Sequence, residues 1–516
     1  MKRRLTLIAA LLIAGSSAYA ATPPANADHK LPPGIAWQQG DVTAAFAQAR
    51  ATGKPLFLYW GAVWCPPCNQ VKATIFNQQA FIDRTRQFIP VYLDGDQPGA
   101  QKLGAQYKVR GYPTMILFKP DGTEITRLPG EVDFERYLNT LEMALGNARP
   151  VKQTLAAALK GSKLGSDDWK LLADYSWDTD QAQLIAEDKL PATLLKLAQS
   201  VPASEGPTAA RLQLKALAAA ANAEKAPPID KAAALLALNK VLADPKQSRA
   251  NFDVLVNYAG EIIELLTASG TPEQATLLAS WNKSLQSLAG DASLSANDKL
   301  GAVTAQVALA RLLSPKGNLP EPLLSEVKKR VAQADAGTTN GYERQAVINT
   351  AAYTLSSAGL LDDSDKLLNA ELKRSHSPYY FMLSLASNAK KRGDKATAVD
   401  WYEKAYNASE GPATRLQWGV SYVSGLVELA PQDEVRIEKA ATSILTEVAG
   451  TKNAFYERNR RSLEKLVGKI HAWNKDQAHQ ASVKRVLTQL EGICGKLPGK
   501  DPQKAVCHGL LKPAKA

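Results

Sequence analysis

The feature that most constrains this 516-residue chain is the pentapeptide Trp64-Cys65-Pro66-Pro67-Cys68, set between an apolar run and a helical pattern. Ahead of it, Pro55 to Trp60 (PLFLYW) reads as a strand buried on both faces. Behind it, from Pro67 into the eighties, Val71, Ile75 and Phe76 fall on one side of a helix. Two cysteines three apart at a strand-to-helix turn suit either metal binding or redox chemistry. Structural zinc needs about four ligands, and residues 30–150 hold no histidine and no other cysteine. Ligand supply therefore argues against a metal and for a dithiol–disulfide pair that works without a cofactor.

Helix and strand signals alternate around this turn, from about Ile35 to Gly146. Asp41 is placed to N-cap a helix whose Val42, Ala45, Phe46 and Ala49 share one face, with Gly53 past its end. Phe88 to Asp94 (FIPVYLD) reads as a second strand and Ala100 to Tyr107 as a short helix. Thr114 to Lys119 and Thr123 to Leu128 flank Pro120-Asp121-Gly122 as a hairpin, and a helix from Asp133 to Leu145 closes the unit.

The strand–WCPPC–helix setting, the later Val109-Arg110-Gly111-Tyr112-Pro113-Thr114 and the hairpin after it resemble the thioredoxin-like family. Within that family, GKPLFLYWGAVWCPPC followed by TIF is similar to periplasmic modules such as the C-terminal domain of the DsbD reductant transporter. The resemblance implies an α/β thioredoxin fold over residues 35–146 in which Pro113 is cis and faces the cysteine pair. It implies catalytic roles for Cys65, exposed just ahead of the helix as the nucleophile, and for Cys68, shielded one turn in as the resolving thiol. A helix N-terminus favours a nearby anion by about 0.3–1 kcal/mol, which promotes the Cys65 thiolate. Exchange then runs through a mixed disulfide. Pro66 and Pro67 lack N–H groups and tune the potential, leaving the Cys68 N–H as the nearest backbone donor to the Cys65 sulfur. With no histidine between the cysteines, a reductant or isomerase is expected rather than an oxidant. Trp64, Tyr112 and Pro113 are the expected substrate contacts, Trp64 either meeting substrate or packing on the domain. Two departures stand out. Tyr59 occupies the place of the family's buried acid and Lys72 that of the acid four residues past the second cysteine, so the usual base for the resolving thiol is missing.

After Pro150 alanine and leucine dominate and helical patterns follow one another to the C-terminus. They are punctuated by Ser166-Asp167-Asp168, Pro227-Pro228, Ser269-Gly270, Pro315, Pro320, Gly359, Gly393, Pro412 and Pro431. Gly359 and Gly393 are 34 residues apart, as are Pro378 and Pro412, and 34 is the tetratricopeptide spacing. Met382 to Pro412 resembles one such unit: Ala386 and Ala389 in the first helix, Gly393-Asp394 in the turn, and Ala398, Tyr402 and Ala405 in the second. The upstream unit fits at Ala352, Gly359 and Pro378 but has Ser364 and Leu368 in the small and aromatic places. Residues 151–516 are thus expected to form a tetratricopeptide-like α-solenoid, with a plain helical bundle as the alternative. The fold class is an α/β thioredoxin domain followed by a large all-α helical-repeat region.

Lys2, Arg3 and Arg4, the apolar Leu5 to Ala14 and Ala18-Tyr19-Ala20 read as a cleaved export signal over residues 1–20 rather than a membrane anchor. A Pro-rich linker, residues 21–34, follows. Export places the chain in an oxidising compartment, a bacterial periplasm. The formal charge of +12 is scattered, without a run of five or six like charges, and export removes nucleic acid as a partner. Cys494 and Cys507 then read as a structural disulfide worth roughly 3 kcal/mol, or as a shuttle pair that exchanges with Cys65 and Cys68. The expected function is a thiol–disulfide oxidoreductase. Its partners would be exported protein thiols or disulfides and a membrane-embedded thiol reductant, with no nucleic acid and no stable membrane insertion. The other reading is a non-catalytic, chaperone-like scaffold that uses both regions for binding.

Overall fold

The period-two pattern of the first apolar run decides the layering. In the computed structural model, Leu56, Leu58 and Trp60 of strand β2 (Leu56–Gly61) face one core and Phe57 and Tyr59 the other. The structure describes residues 31–109, 111–130, 134–146, 148–180, 182–315 and 317–512; the export signal and most of the linker lie outside the described residues. Strands β1 (Gln38–Gln39), β3 (Ile89–Asp94), β4 (Thr114–Phe118) and β5 (Glu124–Leu128) complete a sheet of order β1-β3-β2-β4-β5. β2 runs parallel to β3, with Tyr59 opposite Tyr92, and antiparallel to β4, with Tyr59 opposite Met115.

Helix α1 (Val42–Thr52) follows its sequence signals closely. Asp41 accepts the Ala44 N–H at 2.9 Å, Gly53 closes the helix at φ 69°, and Val42, Ala45, Phe46 and Ala49 are buried. The helix expected from Pro67 into the eighties is not continuous. It comprises α2 (Pro66–Val71), a π-helical turn over Lys72–Phe76 and α3 (Gln79–Arg84). The break turns Phe76 and Phe81 face to face, with centroids 4.8 Å apart, into an aromatic core with Phe57, Phe88 and Tyr137. Helices α4 (Ala100–Gln106) and α5 (Phe134–Leu145) finish the sandwich; Asp133, the expected start of α5, lies outside the described residues.

Twenty α-helices follow among the described residues, from Val151–Leu159 to Pro502–Leu510. In the Pro378–Lys391 and Lys395–Ala408 pair, Gly393 takes φ 81° and Asp394 caps the second helix through the Thr397 N–H. Ala386, Ala389, Ala398 and Ala405 are buried, so the two axes lie close. Tyr402 is half-buried against Gly425 of the Pro412–Leu429 helix, where a Cβ would collide with its ring. Leu31 onward clusters as one compact unit, because the core under the sheet continues without a gap into Trp418, Val423, Ile444 and Leu466 of the C-terminal helices. Arg127 of β5, fully buried, ties the sheet to the helices by donating to the carbonyls of Tyr107, Lys108 and Thr179.

Candidate active site

Cys65 is the N-cap residue of α2 and Cys68 lies one turn in, joined to it as a disulfide. With Pro66 and Pro67 at the first two helical positions, the donor that reaches the Cys65 sulfur is the Cys68 N–H, at 3.2 Å. That is the geometry the two prolines predict. The Tyr112–Pro113 peptide bond is cis, as the family resemblance implies. Asn69 braces the turn by donating to the carbonyls of Val63 and Cys65.

Behind the pair lies a buried polar group. The Tyr59 hydroxyl donates to the Cys68 carbonyl at 3.5 Å, and its ring stacks on Tyr92 at 5.2 Å. Burial, helped by the Asp94 charge, pushes both phenols well above their ordinary range. Lys72 is buried with its ammonium over the rings of Tyr92 and Tyr342 at 5.6 and 5.3 Å. Desolvation pulls it down to about 8, against the opposing pull of Asp94. Asp94, at the end of β3, accepts the Tyr92 hydroxyl at 2.8 Å and the Asp96 N–H at 2.9 Å. A carboxylate therefore does approach the back of this site, from the end of the expected second strand, although the sequence did not mark Asp94 as a site residue.

The expectation of an exposed Cys65 is corrected: the residue is only 2% exposed, because helices from the second half of the chain cover it. Trp64 carries the contact. Its indole N–H donates to the Thr414 hydroxyl at 2.7 Å, and its ring packs edge-on to Trp418 at 4.8 Å and stacks on Tyr380 at 5.8 Å. Trp64 thus packs on the C-terminal helices, and on Tyr112 of its own domain at 6.1 Å, while still lining the cavity on Cys65. Asp96 supplies the cap that Gly411 cannot give the Pro412–Leu429 helix, accepting the N–H groups of Ala413 and Thr414 at 2.7 and 2.8 Å and the Thr414 hydroxyl. Gly411, at φ 84°, is required there because a Cβ would run into the Asp96 carboxylate. Burial and the neighbouring Asp94 push Asp96 up to about 6, while the bonds from Thr414 and Ala413 pull it down. Further ties run from Gln70 to Ser295 and Asp298, and from the Arg458 N–H to Gln101.

The cover is not sealed. Cys65 opens on a cavity of about 630 Å³ lined by Trp64, Tyr112, Tyr353, Tyr380 and Trp418, with Lys391 and Arg458 among its polar groups. Pro66 and Pro67 also line a second cavity of about 600 Å³ that carries Glu261, Glu264 and Asp298. Tyr112 and Pro113 line a third, of about 440 Å³. Among the described residues no three His, Cys, Asp or Glu side chains converge as metal ligands, and no helix is long and apolar enough to cross a membrane.

Residues 42–145 match the family described as "Thioredoxin-like domain". This segment is a thioredoxin-like domain. A thiol:disulfide interchange protein DsbD of Pseudomonas fluorescens is 32% identical over 102 residues, which are 19% of this chain and 18% of that protein. A thioredoxin of Mycolicibacterium smegmatis is 29% identical over 94 residues, covering 18% of this chain and 81% of that one. A solved structure titled DsbH Oxidoreductase matches at 22% identity and a TM-score of 0.20, over 24% of this chain and 94% of the other. The chain thus spans under a fifth of the length of the curated DsbD relative.

The thioredoxin-like domain brings Trp64, Cys65, Pro66, Pro67 and Tyr112 to one cavity wall, while Pro113 lines the adjoining cavity. Cys494 and Cys507 lie elsewhere, as a buried disulfide between the Gln480–Lys496 and Pro502–Leu510 helices, and neither lines the cavity on Cys65. Sequence reasoning missed Asp94, Asp96, Tyr380, Trp418 and Arg458. The Asp94-Gly95-Asp96 segment follows an expected strand, but the partners of Asp96 are some 317 residues away along the chain.

Proposed function

We propose that the protein is an exported thiol–disulfide oxidoreductase in which Cys65 and Cys68 react and the helical region forms a cover over them. In the reduced state the Cys65 thiolate attacks a disulfide R–S–S–R, forms a Cys65–S–S–R bond and expels RS⁻. Cys68, deprotonated, then attacks the Cys65 sulfur and releases the second RS⁻, so two electrons pass from the dithiol to the substrate. The observation that supports this most is that Cys65, at the N-terminus of α2 in a thioredoxin-like domain, opens on a cavity instead of being sealed in packing. The curated DsbD relative is named a thiol:disulfide interchange protein, which agrees with the same chemistry here.

The direction we assign is reduction or isomerisation in the periplasm. The Cys65 sulfur receives one backbone N–H and no histidine stands between the cysteines, so its thiolate has little help. Exported protein thiols or disulfides, which reach Cys65 only when the cover opens, are the partners on one side and a membrane-embedded thiol reductant on the other. Cys494–Cys507 acts as a staple for the last helix. The test is reaction of the reduced full chain with hydroxyethyl disulfide. Native protein should consume it and form the Cys65–Cys68 disulfide, while Cys65→Ser should fall to the uncatalysed background. Equal rates would leave the second reading, a non-catalytic scaffold, which the 2% exposure of Cys65 favours.

A further inference from the structure

The cavity on Cys65 has a one-sided charge. Its charged lining residues are Lys391 and Arg458, and no carboxylate lines it among the described residues. The Arg458 guanidinium lies 4.5 Å from the Tyr112 ring and 5.8 Å from that of Trp64, and donates to the neutral amide of Gln417 at 2.6 Å. The Lys391 ammonium donates to the Ser356 hydroxyl at 2.7 Å and carbonyl at 3.4 Å. Among the described residues, neither cation is paired with an acid. Burial, with Arg311 nearby, pulls Lys391 below its ordinary range, the mark of a cation short of counter-charge. The neighbouring cavity reverses the pattern, with Glu261, Glu264 and Asp298 and no Lys or Arg, and Cys65 does not line it.

Size restricts the occupant further. A sulfur in a residue 2% exposed cannot meet a disulfide held on the surface of a folded protein while the cover is closed. A cavity of about 630 Å³ walled by five aromatic rings falls in the range of small-molecule sites, roughly 300–1,000 Å³.

Resting on the exchange reading above, we propose that the preferred substrate of Cys65 is a low-molecular-weight disulfide bearing carboxylates, held by Arg458 and Lys391 against the aromatic wall. The dithiol is the reductant: Cys65 takes one half of the substrate as a mixed disulfide, the other leaves as a thiolate, and Cys68 expels the first half. Two electrons and the Cys65–Cys68 bond account for both new thiols.

The test measures mixed-disulfide formation by the reduced Cys68→Ala full chain with three probes: anionic oxidised glutathione, cationic cystamine and neutral hydroxyethyl disulfide. Each rate is divided by that of free cysteine with the same probe, which removes intrinsic reactivity. Oxidised glutathione should lead cystamine by about tenfold, equivalent to about 1.4 kcal/mol. Arg458→Gln and Lys391→Gln should each shrink that ratio by roughly threefold, and the ratio is unaffected by any change in thiol reactivity common to all probes. If a variant does not fold, salt serves instead, since raising the ionic strength around the unaltered cavity should compress the same ratio. Equal rates for the charged probes, a lead for cystamine, or a ratio indifferent to both salt and substitution overturns the proposal. Reaction with hydroxyethyl disulfide separates the failures. If it proceeds, thiol exchange stands and only the substrate class is lost; if no probe reacts, both fall.

Discussion

Lys72 shows how one side chain departs from its family's chemistry. It sits in the π-helical turn four residues after Cys68, buried among Tyr92, Tyr342 and the Asp94 charge. Its ammonium is held less well in the fold than in the unfolded chain. At pH 7 both states carry the proton. As pH rises through about 8 the folded protein releases it, whereas the unfolded chain keeps it to about 10.5, so the unfolded state binds more protons and stability rises over that window. Measured against Lys72→Met, the native chain should gain roughly 3 kcal/mol between pH 7.5 and 10.5. Denaturant titrations across that range check it; parallel curves for the two proteins would place the Lys72 charge in water.

At the scale of elements, one helix terminus is among the ties that hold the cover. The Pro412–Leu429 helix begins on a glycine without a side-chain cap, and Asp96, at the end of the β3 loop, supplies the missing acceptor. Replacing Asp96 by Ala removes the acceptor of two backbone N–H groups and one hydroxyl. Losses of N-caps cost about 0.5–2 kcal/mol, and the same range is expected here. Because that helix also carries Thr414 and Trp418 against Trp64, the variant should show faster amide exchange at Ala413 and Thr414. It should also show faster alkylation of reduced Cys65. Amide exchange by mass spectrometry reads the first and thiol labelling the second; an unchanged labelling rate would separate the cap from the cover.

For the whole molecule, a shared core joins the thioredoxin-like domain to the C-terminal helices, so Cys65 lies inside a cleft and not at a protein tip. Reagent size should then govern reactivity. Reduced Cys65 should react with N-ethylmaleimide at least about tenfold faster than with a maleimide on a 5 kDa polyethylene glycol, since a cover opening that costs about 1.4 kcal/mol lowers the reactive population by that factor. Free cysteine supplies the reference ratio for the two reagents. A ratio equal to that of free cysteine would mean the cover is open in solution.

Much of this protein was written locally. The Asp41 cap, the Gly53 stop, the buried face of α1 and the strand alternation at Leu56 to Trp60 all depend on residues within a few positions of one another. So do the lone Cys68 N–H on the Cys65 sulfur and the Gly393-Asp394 turn. Chain geometry and nearest-neighbour chemistry determine such features, and both can be read from spacing. The break of the 67–84 helix could not be read this way, because it goes with the aromatic core that Phe76 and Phe81 build with Phe57 and Tyr137, rings far apart in sequence. Nor could the burial of Cys65, the Asp96 cap, or the meeting of Arg458 and Lys391 in the cavity on Cys65. Each joins residues hundreds of positions apart, through packing that exists only when the helices close on the sheet. Periodicity records which face of an element is apolar, but not which distant element will cover it.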